Sequence, residues 1–432
     1  MNARPADSGA TPPAPPPRRG LARIFGAGLI TGAADDDPSG IATYSQAGAA
    51  FGFGLLWTML FTLPLLAAVQ ELAARTGRGT GRGLAANLGL FLPRWAALSC
   101  VALLAIANTI NLGADLGAMG EAAALVLGGP AHPYVVLFGA ASALLAIFVD
   151  YRFYVRLLRW LTLSLLAYVG TVLAISVPWR TVLAAVAIPP IELSGPYLLA
   201  VTAVLGTTIA PYLVFWQAAE EVEDMGRGAL PGSDEGTAVA HKEVRLIRAD
   251  TWLGIGFSNL VGFFVMIAAA AALHQVGVTD IRTAEQAAQA LRPLAGDLAF
   301  LTFASGIIGT GLLAVPVLAG AAAYAIGEAA GRPVGLSRKP AEARIFYGVI
   351  ALSTLLGTLL HFTPIDPMRA PFGSAVLNGI LVVPILGGLL IVAANRHAMG
   401  AFKPGRLLLA AGWLTVAIMA AAALMLAWTL LA

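Results

Sequence analysis

Charge is scarce in this chain. Asp, Glu, Lys and Arg make up 11% of its 432 residues, against 58% hydrophobic. So little charge cannot solvate a chain of this length, which excludes a soluble enzyme or a nucleic-acid binder and reads as a polytopic membrane protein. There is one cysteine, Cys100, in an apolar run. It allows no internal disulfide and reads as a packing thiol. The five histidines (132, 241, 274, 361, 397) lie in loops or at the ends of apolar runs, which argues against a buried histidine ligand or proton relay. No mid-span serine is matched by a histidine, and no second mid-span acid pairs with Asp37 as a protease dyad. An intramembrane enzyme is therefore the weakest reading. Gly77-Arg78-Gly79-Thr80-Gly81-Arg82-Gly83 looks like a phosphate loop only superficially, since no strand precedes it. A basic flexible linker is the better reading.

What is present is an interrupted apolar segment. Asp35, Asp36 and Asp37 sit in the middle of the first apolar stretch, followed by Pro38 and Gly40. An acid at mid-bilayer costs at least about 2.5–3.5 kcal/mol, so such a residue faces a cavity, a partner or an ion. Pro38 removes a backbone donor and breaks the helix. A break at membrane depth is tolerated where the freed backbone is buried in protein or lines a cavity. Its loose carbonyls together with Asp37 suit a cation. A poor first span or an interfacial helix is the bland alternative.

Eleven spans can be drawn: 21–50 (broken), 52–74, 95–127, 134–148, 157–177, 196–221, 251–273, 298–326, 345–362, 372–394 and 407–431. Residues 1–20, rich in proline, read as a disordered cytoplasmic tail. With the N-terminus inside, 22 of the 26 Lys and Arg fall on the inner side, the exceptions being Arg180, Arg282, Arg292 and Arg369. That asymmetry fits the positive-inside rule for a multi-pass inner-membrane protein.

The sixth span carries a second break at Gly206-Thr207-Thr208-Ile209-Ala210-Pro211-Tyr212. Interrupted helices in corresponding positions of two halves point to a transporter built from inverted repeats. This divides the chain into the tail (1–20), a first repeat (21–195), a second repeat (196–395) and an extra span (396–432). Asn108, Asn111 and Asp115 share one face of the third span. Lining a pathway and hydrogen-bonding between helices are both open for the two amides. Asn259 and Asn378 carry the same ambiguity. The acidic run Glu220-Glu221-Val222-Glu223-Asp224 lies about 15 Å from the Ala210 break. It reads as solvated, with an exit vestibule as the alternative. Thr283 to Leu294 reads as a short amphipathic surface helix.

Asp37-Pro38-Ser39-Gly40, with Gln46-Ala47-Gly48 after it and Leu72-Ala73-Ala74-Arg75-Thr76-Gly77 at the end of the second span, resembles the natural resistance-associated macrophage protein (NRAMP) family of divalent-metal transporters. That family has Asp-Pro-Gly-Asn at the first break. The resemblance implies the LeuT-type five-plus-five inverted repeat, with helices one and six broken and one extra helix. It also implies that Asp37 is a metal ligand. The departures are large. Gly40 replaces the family's Asn, Ala210 its Met, Tyr212 its His, and Gln217 a second His. Asn111 and Ala114 replace an acidic pair, with Asp115 one position away, and Asn378 stands near a tenth-span Gln. Losing the thioether and adding Asp36 leaves oxygen ligands, which favour hard ions. Gly40 and Ala210 are expected to free volume.

The resulting expectation is secondary-active transport of a divalent cation by alternating access, Mg²⁺ favoured and Mn²⁺ possible. Asp37, Asp36, Gly40, Thr207, Thr208 and Ala210 form the metal site. Asn108, Asn111, Asp115, Tyr212, Gln217 and Asn378 line the pathway. The cation is cargo and no cofactor is expected. The partners are the ion and the bilayer, with no nucleic acid, and the chain acts as a monomer. Alternatives are a LeuT-fold carrier of a small organic solute and a non-transporting scaffold or sensor.

Overall fold

The computed structural model describes residues 27–149, 153, 157, 166–225, 236–281, 284–363 and 370–431. Among them every regular element is helical, as expected where no water is available to satisfy an open backbone. In order these are α1 (Ala27–Asp35), α2 (Pro38–Phe51), α3 (Leu56–Thr80), α4 (Leu84–Phe91), α5 (Arg94–Leu127), α6 (Ala131–Phe148), α7 (Leu166–Ala174) and α8 (Trp179–Ala187). The second half holds α9 (Gly195–Thr208), α10 (Pro211–Met225), α11 (Gly236–Ala272), α12 (Ala284–Ala329), α13 (Arg344–Leu360), α14 (Ala370–Ala394), α15 (Arg396–Met399) and α16 (Arg406–Leu431). Among the described residues, eight helical stretches are long and apolar enough to cross a bilayer, and Arg344–Leu360 is a shorter apolar helix. The tail, the 226–235 loop and most of the expected fifth span lie outside the described residues.

Both broken helices are present, α1/α2 and α9/α10, and each restarts on a proline. They lie among α3, α11, α12 and α14, while α5 packs on α12 and α13 and reaches α2 through Asp115. Glycines let backbones touch, the usual device of helix packing in membranes. An ideal Cβ on Gly32 would lie 2.4 Å from Gly254 O of α11, and one on Gly206 would lie 2.0 Å from Ala375 O of α14. The eighth span and the surface helix expected before it form one element, α12, turned at Gly296, whose φ is 80°.

Three expectations need correction. The 77–83 stretch is not a flexible linker. Helix α3 runs on to Thr80 and stops at Gly81, which takes φ 65°. Gly77 is pressed against α10, where a Cβ would fall 2.2 Å from Ala218 O. The acidic run is not solvated, because Glu220, Glu221 and Glu223 are buried. Arg78 reaches both Glu221 (3.3 Å) and Glu243 (2.9 Å), and Glu223 accepts from the Tyr324 hydroxyl at 2.8 Å. Two turns before Arg78 on α3, buried Glu71 pairs with Arg75 and accepts from Arg248 at 3.2 Å. Tyr324 lies 101 residues from Glu223 and Arg78 stands on α3, so the run alone could not reveal its burial. Finally, residues Trp179–Ala187, drawn as part of a loop, form α8, with Val182 its one buried side chain.

Candidate metal site

The two prolines determine the local geometry. Without an N–H, Pro38 leaves the Ala34 carbonyl without its helical donor, and Pro211 does the same to Thr207. Asp37 has extended backbone (φ −64°, ψ 163°) and caps α2. Its Oδ1 accepts from Gly40 N at 2.5 Å and from Ser39 Oγ at 2.8 Å. An aspartate followed by proline at the first helical position is the ordinary start of a helix. Across the gap, the Tyr212 hydroxyl donates to the stranded Ala34 carbonyl at 2.8 Å, with Asp37 Oδ2 a longer neighbour at 3.4 Å. Tyr212 therefore ties α10 to the end of α1.

The other expected residues gather around this junction to different degrees. Thr207 Oγ1, Asp37 Oδ1 and Asp35 O lie 3.4, 3.0 and 3.1 Å from the position of an ideal Cβ on Gly40. The expectation that Gly40 frees volume is thus corrected. Oxygens from both breaks close on it, and the glycine is what lets them approach. Thr208 Oγ1 donates to Val204 O (2.7 Å) and meets Tyr44 OH (3.1 Å), joining α9 to α2. Ala210 is buried and offers no side-chain ligand. Asp35 accepts from Ser258 Oγ at 3.2 Å, and Asp36 is equally buried. Asp115 accepts from Ser39 N at 3.0 Å, so the third-span acid does reach the first break. Asn108 donates to Leu318 O of α12 (3.0 Å), the interhelical role, and Asn259 donates to Thr62 Oγ1 likewise (3.2 Å). Gln217 accepts from Thr31 Oγ1 at 2.5 Å, binding α10 to α1 below the breaks. Asn378 is buried on α14, beside the Gly206–Ala375 contact.

Several buried polar atoms in this region have no hydrogen-bond partner: Asp35 Oδ1, Asp36 Oδ2, Asp115 Oδ2, and the Oδ1 atoms of Asn108, Asn111 and Asn378. Each such orphan costs about 1–3 kcal/mol. These six are acceptors, which a cation or a donor would satisfy, while the Gln217 Nε2 donor is likewise without a partner. An all-oxygen set matches a hard divalent ion. Yet among the described residues no three His, Cys, Asp or Glu side chains converge to hold a metal. Asp37 is the capping carboxylate, and Asp35, Asp36 and Asp115 are buried around it without converging on one point.

Ser39, Tyr44, Thr31 and Ser258 were not among the expected site residues. Ser39 had a signal, since it belongs to the helix start that Asp37 caps. The others join segments at least 164 residues apart, and nothing local marks them.

A family model described as natural resistance-associated macrophage protein-like matches residues 28–429. The chain belongs to this family. A divalent metal cation transporter MntH of Deinococcus radiodurans is 28% identical over 432 residues, spanning 96% of this chain and 92% of its own length. The crystal structure of the Eremococcus coleocola manganese transporter with an aromatic bis-isothiourea substituted compound superposes with a TM-score of 0.75, at 18% identity, over 94% of this chain and 86% of that one. Mhp1, a nucleobase-cation-symport-1 family transporter, superposes at 0.62 and 15% identity, over 94% and 90%. These likenesses show the fold, all-helical with the LeuT-type broken pair. NRAMP membership places the chain among metal transporters rather than enzymes.

Proposed function

We propose that this NRAMP protein moves a divalent metal cation across the membrane by alternating access, with Asp37 as the principal ligand. The observation that carries the reading is the meeting of both breaks at Gly40, where Asp37 Oδ1, Asp35 O and Thr207 Oγ1 crowd one backbone position. The C-terminal ends of α1 and α9 bring carbonyl dipoles to the same place, the negative ends that suit a cation. Thr207 O, freed by Pro211, is a further neutral ligand. Asp36 supplies charge close by, and Thr208 and Ala210 shape the wall. With a single capping carboxylate, the ion keeps part of its water shell. The absence of sulfur and nitrogen donors on Asp37, Gly40, Ala210 and Tyr212 favours Mg²⁺ over Mn²⁺ relative to a thioether site. Asn111, Asp115, Gln217 and Asn378 line the route on either side.

The transport cycle opens the inner side by separating α1 from α10, which breaks Thr31–Gln217, and by releasing α10 from α3 at Gly77 and Arg78. The reading includes eleven spans, an N-terminus inside the cell, the inner membrane as location and a monomer as the working unit. Support for the orientation is the placement of Lys and Arg.

Proteoliposome uptake of Mg²⁺ and Mn²⁺ tests the proposal. The wild type should take up at least one of them, and Asp37→Ala should abolish it. Unchanged uptake by the variant removes Asp37 as ligand, and no flux of either ion removes the transport reading.

A further inference from the structure

Beside the second half of α5, two residues past the Asp115 that reaches the first break, two histidines meet. His132 is in the first turn of α6 and His361 immediately follows α13. Their ring centroids are 5.2 Å apart with planes at 61°, and Phe362 covers His132 at 5.2 Å. His361 Nδ1 is buried without a hydrogen-bond partner, against the α5 backbone at Gly117, where a Cβ would approach it to 3.1 Å. That glycine gives the ring its seat. His132 is exposed, so the pair is open on one side.

The spacing has chemical meaning. An imidazole bound to a metal at about 2.0–2.1 Å puts its ring centroid about 3.2 Å from the ion. Two such rings at a tetrahedral angle of about 109° have centroids about 5.2 Å apart. The observed separation equals this value, although the two side chains come from different helices. The nitrogen donors suit late first-row ions such as Cu²⁺, Ni²⁺ and Zn²⁺.

We propose that His132 and His361 form a second metal site, a surface bis-imidazole site for Cu²⁺, Ni²⁺ or Zn²⁺ that clips α6 to the end of α13, with water completing the shell. It is independent of Asp37 and of the transport reading. In the orientation proposed above it lies on the outer face, where it meets ions before the pathway does.

The test uses full-length, tag-free protein in detergent. Calorimetric titration with Ni²⁺ and Zn²⁺ should show a saturable histidine-dependent component beside any binding at Asp37, weakened at least about ten-fold in His132→Gln and in His361→Gln. The histidine-dependent component should persist in Asp37→Ala, which removes only binding at the breaks. Electron paramagnetic resonance of the wild type with one equivalent of Cu²⁺ should show two coupled imidazole nitrogens, a readout that requires no variant to fold. Ni²⁺ and Zn²⁺ binding unaffected by both histidine substitutions, or a Cu²⁺ spectrum without two imidazoles, overturns the site. Loss of the histidine-dependent component in Asp37→Ala overturns its independence.

Discussion

Removing the Tyr212 hydroxyl isolates one interaction between the two broken helices. Ala34 O lies in a fully buried residue, its helical donor is missing because position 38 is proline, and Tyr212 OH supplies the replacement at 2.8 Å. Tyr212→Phe keeps the ring and opens no cavity of side-chain size, so the cost is that of an unsatisfied buried carbonyl, about 1–3 kcal/mol. The longer contact to Asp37 Oδ2, at 3.4 Å, adds little. At an unfolding entropy of about 2 cal/mol/K per residue, the melting temperature should fall by about 1–4 °C. Thermal unfolding in detergent gives the value. No shift at all would refute the assignment of this hydroxyl to the stranded carbonyl.

Four further outcomes follow from the same geometry. Gly77→Ala and Gly206→Ala place a Cβ 2.2 and 2.0 Å from backbone oxygens of facing helices. Each should destabilise by about 1–3 kcal/mol or more. Gly256→Ala, in the interior of α11 with nothing within 4 Å, should be neutral or stabilise by up to about 1 kcal/mol, read from the same melts. Arg78→Ala removes the cation shared by Glu221 and Glu243 and should cost about 3–5 kcal/mol. Adding Glu221→Gln should recover part of the lost melting temperature. Burial and the neighbouring His132 push His361 below its ordinary 6.5, so the folded protein takes up this proton at lower pH than the unfolded chain. Stability should rise with pH through the interval just below 6.5 and be lost as pH falls through it. The acid limb of the melting curve should be shallower in His361→Gln, with no such difference above about pH 7.

Much of the framework was local and therefore legible. Scarce charge and long apolar runs determined an all-helical membrane protein, because a backbone in lipid has no other way to satisfy itself. Pro38 and Pro211 located both breaks, because a missing N–H acts at its own position and four residues earlier. Asp37 was legible as the focus for the same reason. Its use as an N-cap follows from Asp-Pro at a helix start.

What only the tertiary structure decided were matters of distance between segments remote in sequence. The family resemblance gave Tyr212 as a lost histidine, and packing made it the donor that closes the first break. Gly40 read as a gap, and the approach of Thr207 and Asp35 made it a point of contact. The acids at 220–223 read as solvated until Arg78, Tyr324 and the start of α11 closed over them. His132 and His361, dismissed as loop residues, became neighbours only when α6 and α13 were packed against α5. Hydropathy and helix breaks depend on a few adjacent residues. Pairing of buried polar groups depends on which helix faces meet, and that is set by the packing of the whole bundle.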